Sequence, residues 1–234
     1  MPDISIVMPV WNNYKPLDRA IESIMNQWFK NDKLSLEIIM IDDGSTDRLT
    51  KRKLKEWNRR LKNGQELLHI STLLLTHLQN KGISCARNSG ISKSSGEYIC
   101  YLDCDDVYYP HALETYYESL TKYSDSEVCF GGIDFIGWDA AKGEQMQEVI
   151  SGFVPNAAMC VMHSRDCITD DDLFYPGLIE RETEMFTNNL ILKHTPVRVI
   201  NIGKAIISAT GQSIQKRLPN NGQGITYEGY RKKE

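Results

Sequence analysis

A chain of 234 residues with 41% apolar and 25% charged side chains has ordinary globular composition and enough length for one large domain. Its net charge of −4, with a late basic cluster limited to Arg231, Lys232 and Lys233, argues against a nucleic-acid partner. No apolar stretch approaches the roughly 20 residues that span a bilayer, and the start, MPDISIVMPVW, lacks the basic region and long apolar run of a signal peptide.

In chain order, ISIVMPV at 4–10 is a nearly continuous apolar run, as expected of a parallel strand buried on both faces. Asn12 and Asn13 turn the chain. KPLDRAIESIMNQWF predicts a helix with Pro16 in its first turn and Leu17, Ala20, Ile21, Ile24, Met25 and Trp28 on one face. LEIIMID predicts a second strand. In the following DGSTD, Gly44 permits a tight turn, Ser45 or Thr46 can cap, and Asp47 suits a helix N-terminus. Residues 47–61 are strongly charged and predict an exposed helix. LLHISTLLLT predicts the third strand, and GISCARNSGISKSSG a helix stopping near Gly96. EYICYLD predicts the fourth strand, and Pro110 opens a helix to about Tyr123.

The second half is less regular. VCFGGIDFIGW and MQEVISGF predict strands of a smaller mixed sheet, with DAAKGE as a loop between them. AAMCVMHSRDCI fits strand or helix. IERETEMFTNNLILKH predicts an amphipathic helix with Met185, Phe186, Leu190 and Ile191 facing inward, and VRVINIGKAIIS a strand. From Thr210 onward the polar, Gly- and Asn-rich composition predicts a mobile segment. The cysteines at 85, 100, 104, 129, 160 and 167 are expected to be reduced in a cytoplasmic chain. Cys100 and Cys129 lie in apolar runs, where thiols act as small core residues. No second CxxC or His pair completes a zinc site around Cys100 and Cys104.

Alternating strands and helices predict a parallel sheet covered by helices. Ligands then bind beyond the carboxyl ends of the strands, so Pro9–Asn13, Asp42–Ser45 and Asp103–Asp106 are expected on one rim. Within ICYLDCDDVYY, Asp103 and Asp105 can point to one side while Cys104 points away. Carboxylates packed this closely repel unless a cation joins them. Two of them offer hard oxygen ligands for Mg²⁺ or Mn²⁺, whose shell water and substrate phosphate complete. Asp42 and Asp43 can accept from a base N–H or a ribose hydroxyl, and the Trp11 ring can stack on a base.

The segments VMPVWNN, IIMIDDGSTD and NKGISCARNSGISKSSGEYICYLDCDD, in that order and spacing, resemble the family 2 glycosyltransferases of the GT-A fold. The resemblance covers roughly residues 3 to 125. It implies a Rossmann-like, mostly parallel α/β sheet flanked by helices, with a smaller mixed sheet on the acceptor side. One domain, 1–234, is expected: a nucleotide-sugar-binding half at 1–125, an acceptor half at 126–209, and a segment at 210–234 that could close over the donor. By the same resemblance the donor is a nucleotide-sugar, UDP-linked by expectation. Asp43 would contact the uracil with Trp11 against it. Pro9, Asn12 and Cys104 would line the donor, and Arg87 would lie near the diphosphate. Asp103 would reach the ribose or the metal, and Asp105 would be the principal ligand of Mn²⁺ or Mg²⁺.

Family members carry a Glu-Asp pair at the start of a helix in the second half, one of which deprotonates the acceptor hydroxyl. In IERETEMFTNN, alignment on Phe186 puts Glu182 and Thr183 in the pair, so the aspartate is absent. Glu182 is the first candidate for the base and Glu184 the second. The implied reaction is inverting transfer to a glycan or lipid-linked acceptor, as in cell-surface polysaccharide assembly. A lipid-linked acceptor would bring the chain to the cytoplasmic face of a membrane. Two alternatives are a nucleotide-sugar-binding subunit without catalysis and a sugar-nucleotide pyrophosphorylase. The latter would carry a Gly-rich basic loop after the first strand, and MPVWNNYKP is not one.

Overall fold

The computed structural model describes residues 1–30, 34–64, 69–122, 126–133, 137–139, 144–146, 152–153, 160–174, 176, 182–194 and 198–199. The expected closing segment at 210–234 and most of MQEVISGF lie outside them. Strands β1 (Ile4–Val10), β2 (Leu36–Asp42), β3 (Ile70–Thr76) and β4 (Tyr98–Tyr101) alternate with helices α1 (Leu17–Met25), α2 (Arg48–Asn63) and α3 (Ile83–Ile91). Helix α4 (Ala112–Lys122) follows β4. In the second half come β5 (Val128–Phe130), β6 (Gly132–Ile133), β7 (Gly137–Asp139), β8 (Glu144–Met146), β9 (Gly152–Phe153), β10 (Val161–Ser164), α5 (Glu182–Lys193) and β11 (Arg198–Val199).

Seven strands form one sheet in the order β11-β5-β10-β4-β1-β2-β3. β1 is parallel to β2 and β4, and β2 is parallel to β3. The three parallel links put the carboxyl ends of β1, β2, β3 and β4 on one edge, as the strand and helix alternation requires. β10 runs antiparallel to both β4 and β5.

The apolar runs divide cleanly by parity, because successive strand residues face opposite ways. Ile4, Ile6 and Met8 of β1, Ile38 and Met40 of β2 and Cys100 of β4 pack with α1, α2 and α4. Val7, Ile39, Ile41, Ile99 and Tyr101 pack on the other face with Ala86 of α3 and Phe186 and Leu190 of α5. A sheet buried on both faces has no polar side to show, which is why these strands read as unbroken apolar runs. All six cysteines are free, and Cys100 and Cys129 are fully buried. Burial pushes the Cys100 thiol up to about 12.

Several expectations are corrected. Helix α1 stops at Met25, and Trp28 lies beyond it, half exposed and edge-on to His111. The side chain of Gln27 bonds Ser23 O, Tyr109 O and Leu113 N, so the chain is drawn across to the start of α4 instead of continuing the helix. Helix α3 ends at Ile91, not near Gly96. Gly96 serves close approach: a Cβ there would sit 2.6 Å from Ser5 N. The ambiguous AAMCVMHSRDCI supplies β10, and β5 joins the main sheet beside it rather than a separate small one. Met185 faces outward, because the buried stripe of α5 is Thr183, Phe186, Thr187 and Leu190.

His163 of β10 is fully buried. Its Nδ1–H donates to Ser164 O (2.8 Å) and its Nε2 accepts from the Tyr101 hydroxyl (2.7 Å). Burial, opposed in part by the Ser164 bond, lowers its pKa to about 4. The unfolded chain takes up that proton near pH 6.5. Between these values the unfolded state therefore binds more protons, and stability falls as pH drops. The expected loss from pH 7 to pH 4 attributable to this ring is on the order of 3 kcal/mol. Thermal melts across that range check it, since His163→Gln flattens this part of the profile. An unchanged slope removes His163 as its source.

Candidate active site

Asp42 ends β2, and the next five residues build half of the rim. Asp42 Oδ1 accepts from Ser45 N at 2.8 Å, which closes a turn. Gly44 has φ +67°, and a Cβ there would approach Gln79 C to 2.2 Å, so the position admits only glycine. Asp47, rather than Ser45 or Thr46, caps α2 by accepting from Leu49 N and Thr50 N. Asn12, at φ +47°, reaches across from the end of β1. Its Oδ1 accepts from Thr46 N (2.8 Å) and Asp47 N (2.9 Å), and its main-chain N donates to Ser45 Oγ (3.0 Å). The Asn12 side chain thus ties the first strand loop to the second. Pro9 is buried in β1, while Trp11 is 53% exposed on the rim.

Asp43 is 3% exposed. Its Oδ1 accepts from His77 Nδ1 (2.6 Å) and Lys81 N (2.9 Å), and its Oδ2 from Gly82 N (2.9 Å). His77 Nε2 in turn meets Ser89 Oγ at 2.9 Å. The carboxylate therefore pins the loop from β3 to the N-terminus of α3. The sequence reading did not single out His77. A histidine directly after Thr76, which pairs in register with Asp42, was the available signal.

Past Tyr101 the chain keeps beside β1 through Leu102 N donating to Val7 O at 3.0 Å, then turns with Asp106 N on Asp103 O. Parity decides what the acidic tip meets. Cys104 is 7% exposed in the α1 and α4 core, where Asn13 Nδ2 donates to its Sγ at 3.5 Å. Its side chain is turned away from the α3 face. Burial, together with Asp105 and Asp103, pushes its pKa well up. Asp103 faces α3 and meets Arg87: Nη2 donates to Oδ1 at 2.9 Å and Oδ2 at 3.2 Å.

Arg87 is 2% exposed and also reaches the first turn of α5. Its Nη1 donates to Thr183 Oγ1 at 3.0 Å and lies 3.4 Å from Glu182 Oε1. The guanidinium sits over the Phe174 ring, 5.1 Å from its centroid, which suits a planar cation. One buried cation, itself 95 positions from Glu182, thus joins the tip of β4 to the start of α5. Glu182 is the first residue of α5, where the helix dipole favours a negative charge. Glu184, in the same turn, is half-buried. Asp105, two residues past Asp103, is half-buried.

The donor set fits a hard divalent ion. Asp103, also engaged by Arg87, and Asp105 both bring carboxylate oxygens, the ligand type such an ion takes. Among the described residues there is no group of three or more His, Cys, Asp or Glu able to hold a metal alone.

The family model for "Glycosyl transferase family 2" matches residues 5–159. The chain belongs to that family. GlyG, a glycosyltransferase of Streptococcus pneumoniae serotype 4, is 32% identical over 146 residues, covering 60% of this chain and 41% of its own length. An uncharacterized glycosyltransferase of Haemophilus influenzae is 38% identical over 116 residues, 49% of this chain and 40% of that one. The chain thus spans about two fifths of these relatives. Among solved structures, S. aureus TarS 1-349 in complex with UDP superposes with TM-score 0.70 at 18% identity, over 88% of this chain and 60% of that one. The mannosyltransferase PcManGT from Pyrobaculum calidifontis, in complex with GDP-Man and Mn²⁺, gives 0.62 at 13% identity, over 95% and 60%. The fold is therefore GT-A.

Proposed function

We propose that this family 2 member transfers a sugar from a nucleotide-sugar, UDP-linked, to a hydroxyl of a glycan or lipid-linked acceptor with inversion, at the cytoplasmic face of a membrane. The observation that carries the reading is the Arg87 bridge, which sets the acidic tip of β4 beside a carboxylate at the start of α5. TarS structures hold UDP and UDP-GlcNAc, which favours a uridine donor. In this reading residues 1–125 hold the donor and 126–209 serve the acceptor.

Asp43 accepts from the base N–H, and Trp11 covers the base. Asp105, with Asp103, would hold Mn²⁺ or Mg²⁺, which when bound neutralises charge on the diphosphate. Glu182 accepts the acceptor hydroxyl proton as that oxygen bonds to the anomeric carbon. The bond from that carbon to the diphosphate oxygen breaks on the opposite face, and the electron pair leaves with the diphosphate. Arg87 holds Glu182 and Asp103 in register.

A thermal-shift titration with UDP, GDP, CDP and dTDP, each with and without Mn²⁺, tests donor and metal together. UDP with Mn²⁺ at a hundredfold over Kd should add about 2.7 kcal/mol of stability. Asp105→Asn is expected to remove the part of that gain that depends on Mn²⁺. Undiminished Mn²⁺-dependent binding by the variant would eliminate Asp105 as a ligand. Transfer assays over an acceptor panel distinguish the transferase from a donor-binding subunit.

A further inference from the structure

Helix α2 carries a surface that the donor site does not use. Its 16 residues, RLTKRKLKEWNRRLKN, hold eight Lys or Arg against one Glu, in a chain whose net charge is −4. The positions are ordered. Thr50, Leu54, Trp57 and Leu61 are buried against the sheet. Arg48, Arg52, Lys55, Arg59 and Lys62 are all exposed, and their spacing of four, three, four and three residues puts them on one line along the helix. At 100° per residue that line points away from the buried stripe, and Glu56 falls to its side. Lys53, which pairs with Asp18, is not part of it. The stripe runs about 21 Å, from the rim end of the helix to its far end.

Like charges four residues apart destabilise a helix, so the Arg48–Arg52 and Lys55–Arg59 pairs do not stabilise α2. The pattern calls for an anion outside the chain. The shape of the stripe selects among anions: it is straight, convex and flush with a helix packed on a sheet, so it suits a flat charged plane. Exposed apolar side chains accompany it at the rim end. Leu49 follows Arg48, and fully exposed Leu78 stands just past β3.

We propose that the outward face of α2 docks the protein on an anionic lipid bilayer, with Arg48, Arg52, Lys55, Arg59 and Lys62 over the headgroups and the rim end of the helix at the membrane surface. Clusters of four to eight Lys or Arg on an amphipathic helix bind anionic leaflets in this way, each cation adding roughly fivefold to partitioning. Because α2 begins directly after the Asp42–Asp47 rim, docking holds the donor site near that surface. Vesicle binding is read without donor or acceptor, so this inference stands or falls apart from the transferase reading.

The test is co-sedimentation of the full chain with vesicles of phosphatidylcholine alone and of phosphatidylcholine with phosphatidylglycerol. Binding is expected only to the second, and to vanish in about 1 M salt, where the Debye length is about 3 Å. The variant Arg52→Gln/Lys55→Gln/Arg59→Gln should partition about 100-fold more weakly. A control, Lys30→Gln/Lys93→Gln/Lys122→Gln, changes net charge equally at exposed positions away from α2 and should bind as the wild type does. Circular dichroism establishes that both variants are folded. Equal losses in the two variants, no binding by the wild type, or capture by soluble heparin that excludes vesicle binding would each overturn the proposal.

Discussion

Glu182→Gln is expected to lower turnover by about 10²–10⁴-fold, the usual contribution of a general base, while the affinity for UDP with Mn²⁺ stays nearly unchanged. The amide keeps the size of the side chain and a carbonyl oxygen able to accept from Arg87 and Thr183. What it loses is the capacity to take a proton. The effect should therefore appear in kcat rather than in donor binding. Glu184→Gln is the comparison, because both acids stand in the first turn of α5. The geometry favours Glu182, since Arg87 orients it from the β4 side. Steady-state kinetics on both variants decide the matter. Full turnover in Glu182→Gln together with collapse in Glu184→Gln would transfer the role to Glu184.

Arg87→Met should be the most damaging single change to stability. Arg87 is buried, and so is Asp103 at 6% exposure. Taking away one partner of a buried pair leaves the other charge without compensation, at a cost of about 3–5 kcal/mol. The Nη1 contacts with Glu182 and Thr183 and the stacking on Phe174 go at the same time. Denaturant melts of wild type and variant give the difference directly. Arg87→Lys should fall between them, because an ammonium keeps the charge but cannot reach Asp103 and Thr183 as a fork. Adding Asp103→Asn to Arg87→Met should recover part of the loss, since Asp103 is then no longer a buried charge without its partner. A variant Arg87→Met that melts like the wild type would mean that the bridge contributes nothing to the fold.

The same pair of residues shows how far local reading carries. Arg87 stood out in ARN, and its expected place near a diphosphate came from resemblance. That it would bind Asp103 was accessible in part: Asp103 shares parity with Ile99 and Tyr101, and Arg87 lies one residue from Ala86 on a helix facing them. Its bond to Thr183 and Glu182 was not accessible, because α5 packs on that face in a part of the fold built from short strands, β10 antiparallel beside β4 and β5 antiparallel to β10. The same short strands explain the misread second half. Three- and four-residue strands carry too little periodic signal to tell a sheet extension from a separate small sheet. Gly96 read as a helix cap because a glycine near a helix end has that meaning locally. Its actual reason, contact with the Ser5 backbone, comes from a strand more than ninety residues earlier. On α2, charge was evident along the chain, but the single line of cations appears only after the buried face is known.

The order of apolar runs, turns and carboxylates was enough to establish a helix-covered parallel sheet with Trp11, Asp43, Asp103 and Asp105 at its carboxyl edge. Those features depend on backbone periodicity and on neighbours a few residues away. Which carboxylate receives a cation, which backbone amides hold Asp43, and which acid of α5 faces the acidic tip were decided by packing. Each of these depends on a contact between distant segments, and its geometry is set by strand order and parity across the whole sheet rather than by any local stretch.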